Sequence, residues 1–231
     1  MPHRPSPTSS SFEQLPLAPA VLANLRQLGY LNMTPIQVAS LPIALAGHDL
    51  IAQAKTGSGK TAVFALTLLA RLDVSRFEVQ ALVLCPTREL ADQVAREIRR
   101  LARSEDNIKV LSLVGGSIMR PQMASLAHGA HVVVGTPGRI MDHLQRERLK
   151  LDTLNTLVLD EADRMLDMGF FDDIVYIARR CPKHRQTLLF SATYPEGIAQ
   201  LSLQFMRQAR EVKLTERPAA DQIRQRFYQV A

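Results

Sequence analysis

The stretch Ala54-Lys55-Thr56-Gly57-Ser58-Gly59-Lys60-Thr61 gathers the residue types that hold a chain of phosphates. The apolar run Leu50-Ile51-Ala52 precedes it and Ala62-Val63-Phe64-Ala65-Leu66 follows, the order strand, glycine-rich loop, helix. Glycine tolerates backbone angles that other residues avoid, so such a loop can turn successive N–H groups onto one anion. The helix beyond it offers unpaired N–H groups and a positive dipole end to the same anion. Lys60 adds a point charge for the outer phosphates and Thr61 a hydroxyl ligand for magnesium. The general pattern has glycine where this chain has Ala54, and a chance Gly-Lys-Thr in a turn is the bland alternative. A nucleoside triphosphate site is the working reading.

A second group with chemistry is Asp160-Glu161-Ala162-Asp163, directly after the apolar run Thr156–Leu159. One carboxylate can hold magnesium, and the other can take a proton from an attacking water. Carboxylates also favour the start of any helix, which alone would explain them. Beside Lys60 and Thr61 they complete the parts needed for phosphoryl transfer. Further strand-like runs end in Pro86-Thr87-Arg88-Glu89-Leu90-Ala91, Gly115-Gly116, Thr136-Pro137-Gly138-Arg139 and Ser191-Ala192-Thr193. Each alone is ordinary turn or capping chemistry. Together they set hydroxyls, amides and guanidinium groups along one rim, which suits a sugar–phosphate backbone better than a base edge. With 5% aromatic residues and no Trp, a platform for stacking splayed bases is not expected.

The elements that must position these groups follow a regular beat. Runs rich in Val, Leu and Ile occur at Ala81–Cys85, Val110–Val114, His131–Val134, Thr156–Leu159 and Thr187–Phe190, nearly continuous as in strands covered on both faces. Amphipathic stretches lie between them, such as Arg88–Ala102 with Leu90, Val94, Ile98 and Leu101 on one stripe. The alternation predicts an α/β fold, a mostly parallel sheet with helices on both faces, and ligands at the carboxyl ends of its strands. Upstream, the spacing predicts one helix within Leu15–Leu28, ended by Gly29, and another from Pro35 towards Leu45, capped by Thr34 and stopped by Gly47. From about Thr215 the chain reads as an edge strand or the start of a linker.

At 231 residues the chain suits one well-buried domain. Its net charge of +6 favours a polyanionic partner without naming one. Cys85 and Cys181 are too few for a disulfide framework or a thiolate metal site, which fits a reduced cytoplasmic setting. Residues 1–11, rich in Pro and Ser, are expected to be a disordered tail. No apolar stretch reaches the roughly 20 residues of a membrane helix.

In family order, these motifs resemble the DEAD-box ATP-dependent RNA helicases: the Ala-x-Thr-Gly-x-Gly-Lys-Thr loop, Pro-Thr-Arg-Glu-Leu-Ala, Gly-Gly, Thr-Pro-Gly-Arg, Asp-Glu-Ala-Asp and Ser-Ala-Thr. Ala54 is usual in that family. Gly29-Tyr30 with Thr34-Pro35-Ile36-Gln37 looks like its adenine-reading element, with Phe12 as the upstream aromatic. Ala81–Ala95 and Asp160–Phe170 look most like the bacterial DbpA branch. The resemblance implies a RecA-like P-loop NTPase domain over 12–214, a linker from 215 to 231 and a second RecA-like domain outside this chain. It implies ATP and Mg²⁺ as cofactors, with Tyr30, Gln37, Thr56, Gly57, Ser58, Gly59, Lys60 and Thr61 around the nucleotide. Thr61 and Asp160 would hold the metal, while Lys60, Asp160 and Glu161 would form the catalytic set. It places Thr87, Arg88, Gly116, Thr136 and Arg139 on RNA, and Asp163, Ser191 and Thr193 between the two sites. The implied protein is a monomer that unwinds short RNA duplexes, with ribosomal RNA and ribosome assembly as its setting. A half-enzyme of this kind should bind nucleotide weakly and hydrolyse it barely. An ATP-gated binding module, a small-molecule kinase and a DNA translocase are the rival readings.

Overall fold

The computed structural model describes residues 10–214. The expected linker at 215–231 lies outside the described residues. So does most of the expected tail, but Ser10 and Ser11 do not. Ser10 O accepts from Met33 N at 2.6 Å, and Ser11 Oγ accepts from Glu13 N at 3.2 Å. The chain is therefore already joined to the domain two residues before Phe12, which is buried.

Seven strands form one sheet: β1 (Leu50–Gln53), β2 (Ala81–Leu84), β3 (Val110–Leu113), β4 (Val132–Gly135), β5 (Thr156–Leu159), β6 (Gln186–Ser191) and β7 (Arg210–Lys213). Their order is β3-β4-β2-β5-β6-β1-β7, and every pairing is parallel. Parallel neighbours need crossovers, which the helices supply. These are α1 (Pro19–Gln27), α2 (Pro35–Leu45), α3 (Lys60–Leu69), α4 (Arg88–Leu101), α5 (Met119–Ala127), α6 (Pro137–Gln145), α7 (Ala162–Asp167), α8 (Phe171–Arg180) and α9 (Glu196–Phe205). β7 falls before the stretch in which the sequence suggested an edge strand. Its pattern Arg-Glu-Val-Lys buries only Val212.

Successive strand residues face opposite sides of the sheet, so each strand feeds two cores. Leu50, Ala52, Ala81, Val83, Val132, Val134, Val158, Leu188 and Phe190 pack with α2, α3 and α4. Ile51, Leu82, Leu84, Val133, Leu157, Leu159 and Leu189 pack with residues of α6, α7, α8 and α9. This double covering is why the strands read as unbroken apolar runs. β1 and β2 are separated in the sheet by β6 and β5. The chain thus leaves β1 and β5 at the same edge, with room for a ligand outside their carboxyl ends.

Candidate functional site

The phosphate loop leaves β1 at Gln53 and enters α3 at Lys60. Gly57 (φ 81°) and Gly59 (φ 96°) take left-handed backbone. Among the described residues no side chain caps the amides that open α3. Gly59 is fixed on a second ground as well: a Cβ there would stand 2.6 Å from Gln37 Nε2 and 3.0 Å from Thr34 Oγ1. The loop is braced from behind by the start of α2. Thr34 Oγ1 donates to Ser58 O at 2.8 Å, and Gln37 Nε2 donates to Gly59 O at 3.1 Å. Gln37 Oε1 accepts from Thr34 N at 2.9 Å, so the amide expected to read adenine is buried and serves the loop. Lys60 is also buried, and its Nζ donates to Ala54 O at 2.5 Å.

A cleft of about 270 Å³ opens in front of the loop. Thr56, Gly57, Gly59, Lys60, Thr61, Asp160 and Glu161 line one end, and Tyr30, Gln93 and Glu97 the other. A hollow of about 530 Å³ near Phe77 and Leu149 lies at the opposite end of the strands, away from the phosphate loop. Tyr30 is held for its place: its hydroxyl donates to Glu97 Oε1 at 2.6 Å, and Phe12 meets its ring edge-on at 6.1 Å. Burial, then Glu97, raises the phenol far above its usual range, so it stays neutral. Glu97 and Gln93 were not singled out in the sequence. Their signal was there, because they stand one turn apart on the stripe of α4 next to the buried one.

Asp160 follows β5 and is buried. Burial raises its carboxyl to about 6, Glu161 and Asp163 add to this, and the nearby Lys60 charge opposes it. Among the described residues its carboxylate accepts a single hydrogen bond, a short-range one from Glu161 N to Oδ1 at 3.1 Å. Glu161 sits in left-handed backbone (φ 51°, ψ 51°), uncommon for a residue with a side chain. Such positions cluster at functional sites, where the surroundings hold them. Its carboxylate is flanked by Thr56 Oγ1 at 3.4 Å and Arg164 Nη1 at 3.3 Å.

Asp163 ties α7 to the end of β6. Its Oδ2 accepts from Thr193 N and Thr193 Oγ1, both at 2.9 Å, and from Ala192 N at 3.2 Å. Burial alone would raise this carboxyl, but the Thr193 bonds, with a smaller share from Ser191, hold it below the usual range. β6 in turn reaches the phosphate loop, since Ala54 N donates to Ser191 O at 3.0 Å. One unbroken chain of contacts thus joins the loop, Ser191, Thr193 and Asp163.

The remaining predicted residues lie along the same edge. Thr87 caps α4, its Oγ1 accepting from Leu90 N at 3.3 Å. Arg88 is exposed, and its guanidinium lies where a Cβ on Gly116 (φ 72°) would have to go. Thr136 opens α6. Arg139 follows two residues into α6, and its guanidinium makes contacts within the protein. Both its terminal nitrogens donate to Ser117 O at 3.2 Å, Nη1 also reaches Gln122 Oε1 at 3.1 Å, and Nε stands 3.7 Å from Asp142.

Residues 34–201 match the family described as DEAD/DEAH box helicase. The chain belongs to that family. It is 57% identical over 215 residues to the ATP-dependent RNA helicase DbpA of Escherichia coli, covering 93% of this chain and 47% of the relative. Against the DEAD-box ATP-dependent RNA helicase CshA of Streptococcus pneumoniae it is 45% identical, covering 94% of this chain and 41% of that protein. The chain thus spans less than half the length of these relatives. A crystal structure of a DEAD box protein from the hyperthermophile Methanococcus jannaschii superposes with a TM-score of 0.85 at 41% identity, over 88% of this chain and 56% of that one. The RecA-like fold and the likeness to the DbpA branch both agree with the sequence reading.

Proposed function

We propose that this chain is the ATP- and RNA-binding first half of an ATP-dependent RNA helicase. The observation that carries the reading is the meeting of two strand ends in one cleft, Lys60 and Thr61 from β1–α3 with Asp160 and Glu161 from β5–α7. Among the described residues no cluster of three or more His, Cys, Asp or Glu forms a metal cage. Mg²⁺ does not need one, since it is commonly held by one or two protein oxygens together with water and substrate phosphates. A buried carboxylate with a single hydrogen bond, beside a threonine hydroxyl, fits that donor set. Thr61 and Asp160 would hold the ion, which when bound neutralises charge on the phosphates.

The protein's own groups then divide the work. The amides of the loop and the start of α3 bind the phosphates, and Lys60 exchanges Ala54 O for them. Glu161 orients the attacking water or takes its proton. Tyr30 packs near the base, and Gln37 reads it by giving up a contact to the loop. Asp163, Ser191 and Thr193 connect the cleft to a rim of Thr87, Arg88, Gly116 and Thr136 that binds the RNA backbone. Unwinding requires a second RecA-like domain, and we assign ribosomal RNA as the natural target from the branch.

The test is nucleotide binding and hydrolysis by the chain itself. A fluorescent ATP analogue with Mg²⁺ should bind weakly, and Lys60→Ala should abolish that binding. The resemblance implies that the second domain supplies arginines to the ATP site. Loss of an arginine finger costs ~10³–10⁵ in rate, so turnover should stay near background with or without RNA. RNA-stimulated turnover close to that of a two-domain relative would refute the half-site reading, and phosphorylation of a small molecule without RNA would point to a kinase.

A further inference from the structure

In the turn that follows β3, Val114-Gly115-Gly116-Ser117-Ile118, two carbonyl groups are held by side chains of the protein. Val114 O accepts from Gln122 Nε2 and from Ser117 Oγ, each at 3.0 Å. Ser117 O accepts from both terminal nitrogens of Arg139. The N–H groups of Gly116, Ser117 and Ile118 have no partner among the described residues. Ile118 is 77% exposed, so the turn projects from the surface. Successive amides without a partner, in a turn anchored through its Val114 and Ser117 carbonyls, can together receive an anion. The guanidinium of Arg88, beside Gly116, adds a full positive charge to it.

At the centre of this arrangement is Gln122 on α5. Its Nε2 donates to Val114 O and, at 2.7 Å, to Ser117 Oγ. Its Oε1 accepts from Arg139 Nη1 at 3.1 Å and from His143 Nε2 at 2.9 Å. An amide side chain offers two donor hydrogens and two acceptor lone pairs, and all four are used. His143 is fully buried, and burial lowers its pKa, so it remains a neutral donor to Gln122. No smaller or apolar side chain could serve the turn, Arg139 and His143 at once.

We infer that Gln122 is the positioning residue of the RNA face: it touches no RNA itself but fixes the Gly115–Gly116 turn so that its amides meet a backbone phosphate beside Arg88. Arg139 acts with it, holding the turn from within. The inference rests on the RNA-binding reading above and assigns the geometry of one of its contacts.

The test is binding of a fluorescein-labelled single-stranded RNA to the full chain by anisotropy, from 50 to 200 mM KCl. Gln122→Met removes all four hydrogen bonds. Gln122→Glu keeps both acceptor contacts and loses both donors to the turn. Each variant should bind RNA about 5- to 30-fold more weakly at 50 mM. The slope of log K against log salt should become shallower by about 0.7, the loss of one phosphate contact on a single strand. Affinity for fluorescent ATP should stay within about twofold, since a general loss of structure would lower both affinities. Should Gln122→Met fail to fold, Gln122→Glu carries the test alone. RNA affinity and salt slope unchanged in a folded variant would overturn the inference and leave the RNA-binding reading intact. RNA and nucleotide affinity falling together would overturn it too. Failure of the unsubstituted chain to bind RNA at 50 mM would remove the underlying reading, and the inference with it.

Discussion

Asp160→Asn should make the chain more stable at neutral pH, although it removes a residue central to the cleft. The folded protein raises this carboxyl from 3.8 to about 6, chiefly by burial. A group whose pKa is raised by folding favours the folded state while protonated, and that favour is lost as pH rises from the unfolded to the folded value. Above pH 6 the ionised carboxylate therefore costs about 2.2 units at 1.36 kcal/mol each, or about 3 kcal/mol. Asparagine resembles the protonated acid and avoids that cost. A gain of this size corresponds to a Tm higher by roughly 6–12 °C for a domain of this length. Thermal unfolding by circular dichroism at pH 7.5 and pH 4.5 measures it directly. The advantage should fall to about 1 kcal/mol at pH 4.5 and approach zero below the unfolded pKa. Added Mg²⁺ and nucleotide should narrow the gap at pH 7.5, because only the aspartate gains a cation. An asparagine variant no more stable than the parent, or an advantage that does not shrink on acidification, would refute the burial argument.

Gly59→Ala should destabilise the chain by about 1–3 kcal/mol in a urea titration, since alanine meets both left-handed strain and the Gln37 amide at 2.6 Å. Asp163→Asn should cost about 1–3 kcal/mol by the same measurement, because its Oδ2 loses charge-assisted bonds from Thr193 and Ala192. The depressed Asp163 carboxyl stabilises the fold above its unfolded pKa, so this deficit should close as pH falls through the folded value. Glu161→Gln should keep nucleotide binding within a few-fold while removing the residual hydrolysis of a long single-turnover assay.

Much of this molecule is legible in its sequence, because its strands lie under helices on both faces. Ala81–Leu84 and Gln186–Ser191 are buried along their whole length, so composition alone marks them. The phosphate loop and the acidic pair are legible for another reason: their chemistry depends on residues close in sequence. β7 is not legible, since an edge strand needs only one inward residue and Val212 stands among charges. Nor is the commitment of Gln37 and Arg139 to internal contacts, or the part played by Gln122. Those depend on groups from other elements, Gly59, Ser117 and His143, whose nearness no local pattern records.

Glu161 holds its left-handed backbone at a cost of order 1–2 kcal/mol, next to an aspartate that is itself unfavourable when ionised. Two neighbouring positions thus work against the fold that carries them. In a population selected for heat resistance alone, they would be among the first to drift, position 160 towards an amide and 161 towards glycine or asparagine. The sheet would gain from both changes while the cleft lost its acids. The acidic pair at 160 and 161 is thus accounted for by what the cleft does to a ligand and not by anything it does for the fold.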